Sequence, residues 1–222
     1  MSRQPDPVEE WSRAQRRVIE LVSPLDAEQA RVRVPSCPDW TVRDLFSHMV
    51  GLGSDVVAGD EPDDHNEAWT TRQVERRRDH DIAELVAEWE ATAAPLVAWM
   101  GENGPRPLGD VIIHEQDLRG ALEVPGGQDS AGVAIIRDRF ADRFAAALPD
   151  GASLALSGER WTWGDPASAD TVLRASDFDL ARALVTRRSA AQLRAWTVRG
   201  DVEPYLDAFA LLGPLPAADL VV

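Results

Sequence analysis

The chain has 222 residues, of which 44% are hydrophobic and 27% are charged, and its formal net charge at pH 7 is −15. This length and composition are typical of a globular protein and argue against a disordered chain. The negative charge argues against a nucleic acid or an anionic membrane as the partner, because both attract clustered lysine and arginine. The sequence has neither a signal-peptide pattern nor an apolar run of membrane-spanning length, and its single cysteine allows no intramolecular disulfide. We therefore expect a soluble, cytoplasmic protein.

Helical periodicity of apolar residues dominates the first two thirds of the chain. The predicted helices cover residues 7–23, 41–56, about 67–100, 110–123 and 130–148. The second helix is expected to begin at Thr41, whose hydroxyl can cap it while Asp44 lies three residues on. The third helical region is expected to break near Asp79. No strand pattern interrupts these helices, so the sequence predicts a helical bundle over residues 1–149.

The pattern changes after Pro149. Short strand-like runs, separated by the turn signal Gly158-Glu159, are followed by two further segments with helical periodicity. The predicted strands are 153–157, 160–163 and 171–175, and the predicted helices are 178–184 and 205–212. We therefore predict a second, small α+β domain over residues 150–222, joined to the first by the turn Pro149-Asp150-Gly151.

The four histidines are the first candidates for chemistry. His65 lies in an acidic loop and His80 lies between two aspartates, and we interpret both as surface residues, with a loose metal role for His80 as the alternative. His114 follows three large aliphatic residues, so a buried helical position is expected for it. Asp110 precedes it by four residues and Asp117 follows it by three, which places all three on one helix face.

His48 extends this pattern to a second helix, where it lies at the border of the apolar stripe. With Asp110 and His114 it could supply three ligands to one divalent metal ion. Three protein ligands with an open fourth position are the usual arrangement of a catalytic zinc site. The alternative is a buried His114 that its own helical aspartate satisfies without a metal ion. Spacing alone does not establish that the two helices face each other, so both interpretations stay open.

A resemblance to a known family begins with the stretch Cys37–Leu45 (CPDWTVRDL), which is followed by His48 and Gly51. This stretch resembles the mycothiol-dependent maleylpyruvate isomerase family, which belongs to the DinB-like superfamily of metal-binding four-helix bundles. Further similar stretches are Trp69–Trp89, Asp110–Leu118, Leu180–Arg188 and Gly200–Pro204. The resemblance implies an N-terminal DinB-like four-helix bundle and a small C-terminal domain with a sterol-carrier-like α+β fold.

The resemblance also implies roles for single residues. His48, Asp110 and His114 become the ligands of a divalent metal ion, with zinc as the expected ion. The chain departs from the family here, because the family usually has glutamate at the position of Asp110. Arg77 matches an arginine that family members place near the site, although a solvated helix face explains the run Arg76–Arg78 equally well.

Three neighbouring residues receive separate interpretations. Asp117 could orient an imidazole, as metal-bound histidines commonly require. Arg119 is interpreted as a surface or salt-bridge residue. Cys37 is interpreted as structural, because it has no histidine or lysine neighbour in the sequence that would lower its pKa and it precedes a proline.

We predict a metal-dependent enzyme that uses mycothiol or another low-molecular-weight thiol. Its reaction would be isomerisation of, or S-transfer to, a small electrophilic substrate, with Arg77 holding a substrate carboxylate. The alternatives are a non-catalytic metal-binding or stress-response protein and a small-molecule carrier in which the C-terminal domain binds the ligand. Dependence of activity on added thiol distinguishes the enzyme from both. The sequence identifies neither the substrate nor the choice between monomer and homodimer.

Overall fold

The fold consists of a helical bundle followed by a region of mixed helices and strands. A computed structural model describes residues 4–62 and 66–221, so the interpretation of His65 lies outside the described residues. The described chain forms two compact units, one that ends at Gly127 and one that covers Gln128–Val221. None of the helices in these residues combines the length and the hydrophobicity that crossing a bilayer requires.

The first unit is built around four long helices. Its elements are α1 (Pro7–Val22), a 3₁₀ helix (Gln29–Arg31), β1 (Arg33–Val34), β2 (Cys37–Thr41), α2 (Val42–Ala58), α3 (Glu67–Glu75), α4 (Ile82–Asn103) and α5 (Pro107–Leu122). Helices α1 and α2 each pack against both α4 and α5, which closes a ring of four helices, and α3 packs on the outside of α2. The predicted four-helix bundle and the mostly α class are thereby confirmed.

Two local features of this unit bear on the sequence predictions. The predicted capping box is present at the start of α2, where Thr41 and Asp44 exchange hydrogen bonds. The expectation of no strands is wrong, because β1 and β2 form a small antiparallel hairpin directly before α2, with Val34 opposite Cys37. The strands were missed because two and five residues are too short to show a clear alternation of apolar and polar residues.

Helix α3 approaches α2 unusually closely at Gly51. A Cβ atom at this position would lie 2.6 Å from the Cβ of Gln73 and 2.8 Å from a terminal nitrogen of Arg77. Only glycine leaves room for this approach. The close packing places the side chain of Gln73 beside that of His48, one helical turn before Gly51.

The second unit has the predicted α+β character. Its elements are α6 (Ala131–Ala147), β3 (Leu154–Ser157), β4 (Thr162–Trp163), β5 (Thr171–Arg174), α7 (Asp177–Leu184), α8 (Ala190–Trp196), β6 (Thr197–Arg199) and a 3₁₀ helix (Glu203–Phe209). The sheet order is β4-β3-β5-β6, with β3 and β5 parallel and the other pairs antiparallel. The predicted hairpin is the pair β3–β4, whereas the sequence analysis did not foresee α8 and β6.

The boundary between the two compact units, after Gly127, lies earlier in the chain than the predicted domain boundary at Pro149. The reason is α6, which packs against α7 and the second 3₁₀ helix. Its fully buried Phe144 contacts Phe209 and Trp163, with ring centroids 4.6 and 5.2 Å away. Whether residues 1–149 and 150–222 are separate domains stays a prediction.

Candidate metal centre

The structure brings His48 of α2 together with Asp110 and His114 of α5. One ligand atom from each residue lies within 4.8 Å of the other two. Asp110 Oδ1 is 3.0 Å from Nε2 of His48 and 3.5 Å from Nε2 of His114. The imidazole rings are nearly perpendicular, at 84°, with centroids 5.2 Å apart. Both histidines therefore direct the same nitrogen, Nε2, at one carboxylate.

The other nitrogen of each imidazole is held by a hydrogen-bond acceptor. Nδ1 of His48 lies 2.7 Å from Oε1 of Gln73, and Nδ1 of His114 lies 2.8 Å from Oδ2 of Asp117. A neutral imidazole that donates from Nδ1 leaves the lone pair of Nε2 available to a ligand. This pairing is typical of metal-binding histidines, and Asp117 has the contact that the sequence analysis proposed for it.

Gln73 is itself fixed by a further contact. Its Nε2 donates to Asp55 at 2.8 Å, which leaves its Oε1 to accept from His48. Asp55 also accepts from Arg76 at 3.2 Å. Side chains of α2, of α3 and of the residue that follows α3 therefore determine both the orientation and the tautomer of one candidate ligand. No motif in the sequence singles out Gln73 or Asp55, because neither stands at a fixed spacing from another candidate residue.

The electrostatics of the cluster favour a cation between these groups. Burial alone would lower the pKa of His48, but the charge of Asp110, its hydrogen bond and the hydrogen bond of Gln73 raise the pKa above its usual value. In the metal-free protein, this environment favours a proton on His48. A metal ion would compete with that proton for the same nitrogen.

Two residues of the β-hairpin lie at the edge of the cluster. The ring of Trp40 is 5.1 Å from the ring of His48, at a tilt of 42°. Cys37 lies beside His114 and Asp117, with one ligand atom of each within 4.8 Å of the others. The interpretation of Cys37 as purely structural did not foresee this position, because it depends on how the hairpin packs against α5.

Arg77 has contacts that differ from those expected of a substrate-binding residue. It is only 7% exposed, and its Nε and one terminal nitrogen donate to the carboxylate of Glu88 in α4. The other terminal nitrogen donates to the backbone carbonyl of Gln73 at 3.0 Å. These contacts support a role in positioning Gln73, and the substrate-binding role stays a prediction.

Arg119 belongs to a buried ion-pair cluster between α1 and α5. It pairs at 3.1 Å with Glu115, whose carboxylate also receives two hydrogen bonds from Arg17, at 2.8 and 2.6 Å. Of the surface and salt-bridge roles that the sequence predicts for Arg119, the structure shows a salt bridge. This cluster holds α5 against α1 and thereby helps to fix the helix that contributes two of the three candidate ligands.

The donor set fits a divalent metal ion. Two imidazole nitrogens and one carboxylate oxygen are ligands that zinc and related ions accept. The side chain of Asp110, although shorter than that of a glutamate, reaches both imidazoles. A ring of four helices with these ligands on two of them defines the class, a helical-bundle protein with a candidate divalent-metal site.

Comparison with known proteins gives a family match for the first unit. Residues 11–115 match the model of the mycothiol maleylpyruvate isomerase N-terminal domain, a range that includes all three candidate ligands. This part of the chain is therefore similar to the N-terminal domain of that family. No curated protein matches the chain.

Two solved structures share the fold over most of the chain. A crystal structure of a histidine-to-alanine mutant of the mycothiol-dependent maleylpyruvate isomerase has a TM-score of 0.56 and 12% sequence identity, and the match covers 81% of this chain and 88% of that one. A crystal structure titled only as the mycothiol-dependent maleylpyruvate isomerase has a TM-score of 0.53 at the same identity, with 82% and 88% covered. At this identity the likeness shows the fold.

Proposed function

We propose that the chain is a metal-dependent enzyme that uses mycothiol or a similar low-molecular-weight thiol. Its substrate would be a small electrophilic acid, which it would isomerise or join to the thiol. The observation that supports this most directly is the pair of imidazoles whose Nε2 atoms converge on Asp110 while their Nδ1 atoms are held elsewhere. The match of residues 11–115 to the mycothiol maleylpyruvate isomerase N-terminal domain supports the choice of thiol.

His48, Asp110 and His114 would hold the metal ion, and the donor set favours zinc. When bound, such an ion supplies a Lewis acid with an open position that lowers the pKa of a coordinated thiol. The protein's own contribution is orientation. Gln73 and Asp117 keep each imidazole in the tautomer that presents Nε2. The ring of Trp40 packs against the ring of His48.

The chemistry that follows needs no protein nucleophile. A bound thiol would supply the nucleophile for reversible addition to the carbon–carbon double bond of an electrophilic acid, which permits cis–trans isomerisation with no net consumption of thiol, or for S-transfer if the thiol stays attached. Arg77 can hold the substrate carboxylate only if it exchanges Glu88 for the substrate.

The metal site is tested by elemental analysis of purified variants. His48→Ala and His114→Ala should each lose the metal, whereas His80→Ala should retain it, because His80 is 42% exposed in its side chain and lies outside the cluster. Asp110→Asn should weaken metal binding, and Asp110→Glu should preserve it as the residue usual in the family. Full occupancy in both histidine variants would refute the assignment of the ligands.

The catalytic proposal is tested by assaying unsaturated acids with the metal-loaded protein, in the presence and absence of mycothiol. We expect turnover only when both the metal and the thiol are present, and we expect the same requirement in Cys37→Ala. Turnover without thiol would contradict the proposal. A metal-loaded protein that is inactive with all thiols and electrophiles would favour the non-catalytic metal-binding alternative.

A further inference from the structure

A second group of potential metal ligands adjoins the first. Cys37, His114 and Asp117 each offer one ligand atom, and these three atoms lie within 4.8 Å of one another. The group shares only His114 with the cluster of His48 and Asp110. It contains the one cysteine of the chain.

The fold determines this arrangement. Cys37 is the first residue of β2 and stands opposite Val34 in the hairpin with β1. Strand β1 packs against α5, the helix that provides His114 and Asp117. Cys37 lies 77 positions before His114 in the sequence. The hairpin brings it to the face of α5 that carries His114 and Asp117. The side chain of Asp117 is fully buried and that of His114 is 12% exposed, so these two ligands are largely shielded from water, while Cys37 is partly exposed.

The chemistry of the three side chains differs from that of the first cluster. A thiolate is a soft ligand, and together with imidazole and carboxylate it favours cadmium and other soft ions over magnesium or calcium. We propose that Cys37, His114 and Asp117 form a second metal subsite, selective for soft ions such as cadmium. This proposal does not depend on the proposed function, because it needs neither a thiol cofactor nor His48.

The two subsites would share His114 through opposite sides of its ring. Nε2 is the nitrogen that faces Asp110, and Nδ1 is the nitrogen that faces Asp117 at 2.8 Å. An ion at the second subsite would replace the hydrogen bond between Nδ1 and Asp117. Because this bond orients His114 for the first site, a thiophilic ion bound at Cys37 would disturb the ligand set of the first.

The presence of one cysteine makes the test specific. Cadmium bound to a thiolate produces a charge-transfer absorption band in the ultraviolet, and in this chain such a band can report only on Cys37. The metal-free protein is titrated with cadmium in the wild type and in four variants. His48→Ala removes the first site and leaves the second complete, Cys37→Ser removes the thiol, and His114→Ala and Asp117→Asn each remove one further ligand.

We expect the band in the wild type and in His48→Ala, and no band in Cys37→Ser. In His114→Ala and Asp117→Asn the cadmium affinity read from the band should fall at least about tenfold, since the loss of even a hydrogen-bond partner of a ligand costs that much. Circular dichroism establishes that each variant is folded, and His80→Ala serves as the control for histidine loss. Absence of the band in the folded wild type would overturn the proposal. An unchanged affinity in both His114→Ala and Asp117→Asn would also overturn it, because Cys37 would then bind cadmium without them.

Discussion

Gln73 has the clearest individual role among the residues around the metal centre. It is fully buried, accepts a hydrogen bond from Nδ1 of His48 and donates one to Asp55. A metal-binding imidazole depends on such a partner for its orientation, its tautomer and its basicity. Gln73 therefore influences the metal through His48 without being a ligand.

Replacement of Gln73 by methionine keeps a similar volume and removes the acceptor. We expect the zinc affinity of Gln73→Met to fall about 10- to 100-fold, because the imidazole of His48 is no longer held. Competition with a chromophoric chelator measures this affinity. Gln15→Met is the matched control, since Gln15 is also a buried glutamine but donates to the backbone carbonyl of Trp89. An equal loss of affinity in both variants would point to general destabilisation.

The candidate ligands were recognisable from the sequence, whereas their partners were not. His114 and Asp110 share a helix face at a spacing of four, His48 lies at the border of the apolar stripe of a second helix, and the resemblance implies that all three are ligands. Gln73 lies 25 residues from His48 and contacts it only because α3 packs on α2. The position of Cys37 beside His114 and Asp117 was not predicted for a similar reason. It depends on a hairpin that is too short to be recognised from the alternation of apolar and polar residues.

At the level of elements, the contact between α2 and α3 depends on glycine. A side chain at Gly51 would overlap the Cβ of Gln73, whereas a Cβ at Gly53 would meet the end of the Leu96 side chain at 3.3 Å. The two positions lie on the same helix, so they share the gain of about 1 kcal/mol in helix propensity that alanine provides over glycine. The two positions differ in whether the nearest atom can move, because the Cβ of Gln73 is fixed to its backbone whereas the end of the Leu96 side chain can rotate away.

Gly51→Ala should therefore reduce the free energy of unfolding by about 1–3 kcal/mol, as over-packing typically does, and should also weaken zinc binding by displacing Gln73. Gly53→Ala should be neutral or stabilising, because a flexible side chain can give way. Urea denaturation of the two metal-free variants measures the difference. Equal stability of the two would show that α3 can shift without cost.

A partly buried ion pair between Arg77 and Glu88 joins the segment after α3 to α4. Burial alone would raise the pKa of Glu88, but hydrogen bonds from Arg77 and Ser54 and the charge of Arg77 outweigh it and hold the pKa below its usual value. A carboxyl whose pKa is lower in the folded protein stabilises the fold above its unfolded pKa. This contribution is lost as the pH falls through the folded pKa.

Glu88→Gln should consequently be less stable than the wild type at pH 7, and the difference should shrink as the pH falls below about 4, where an ordinary glutamate takes up a proton. Urea unfolding at several pH values measures the trend. Glu90→Gln, an exposed position on the same helix, is the control and should show little difference from the wild type at any pH. A constant gap between Glu88→Gln and the wild type would contradict the assigned role of the ionised carboxylate.

The bounds of the bundle helices were predicted to within a few residues because capping side chains indicate where helices begin. Thr41 and Asp44 cap α2, and Asp81 with Glu84 caps α4 in the same way, just after the predicted break. In the second unit, α8 has an equally clear capping box at Ser189 and Gln192, yet it was missed. Seven residues give too few turns for a periodic pattern to be recognised.

On the scale of the whole molecule, all candidate ligands belong to the first of the two compact units. A ligand that binds only the folded state stabilises that state by about 2.7 kcal/mol at a hundred times its dissociation constant. We therefore expect zinc binding to stabilise the first unit, which contains the candidate ligands. The change from helical periodicity to short strand-like runs after Pro149 predicts a second region, but α6, which precedes Pro149, packs with that region.

Zinc should therefore slow amide hydrogen exchange in α2 and α5, while exchange in α7 and α8 stays unchanged. Mass spectrometry of peptic fragments resolves the two units. His48→Ala should abolish the effect in α2, which contains no ligand of the second subsite, and this separates binding at the first site from ions bound elsewhere on an acidic surface. Equal protection of both units on adding zinc would contradict a site confined to the first.

The sequence distances between the contacting residues bear on how the site assembles as the chain folds. Gln73 meets Asp55 across 18 positions and His48 across 25, whereas Asp110 meets His48 across 62. The entropy lost on closing a loop grows with its length, so the shorter loops close at the lower cost. We expect α3 to pack on α2 and to orient His48 before α5 docks. A nascent chain that has been synthesised only as far as α4 would then hold the imidazole of His48 in its final orientation and still bind no zinc. The ion would therefore stabilise a bundle that has already closed rather than initiate its folding.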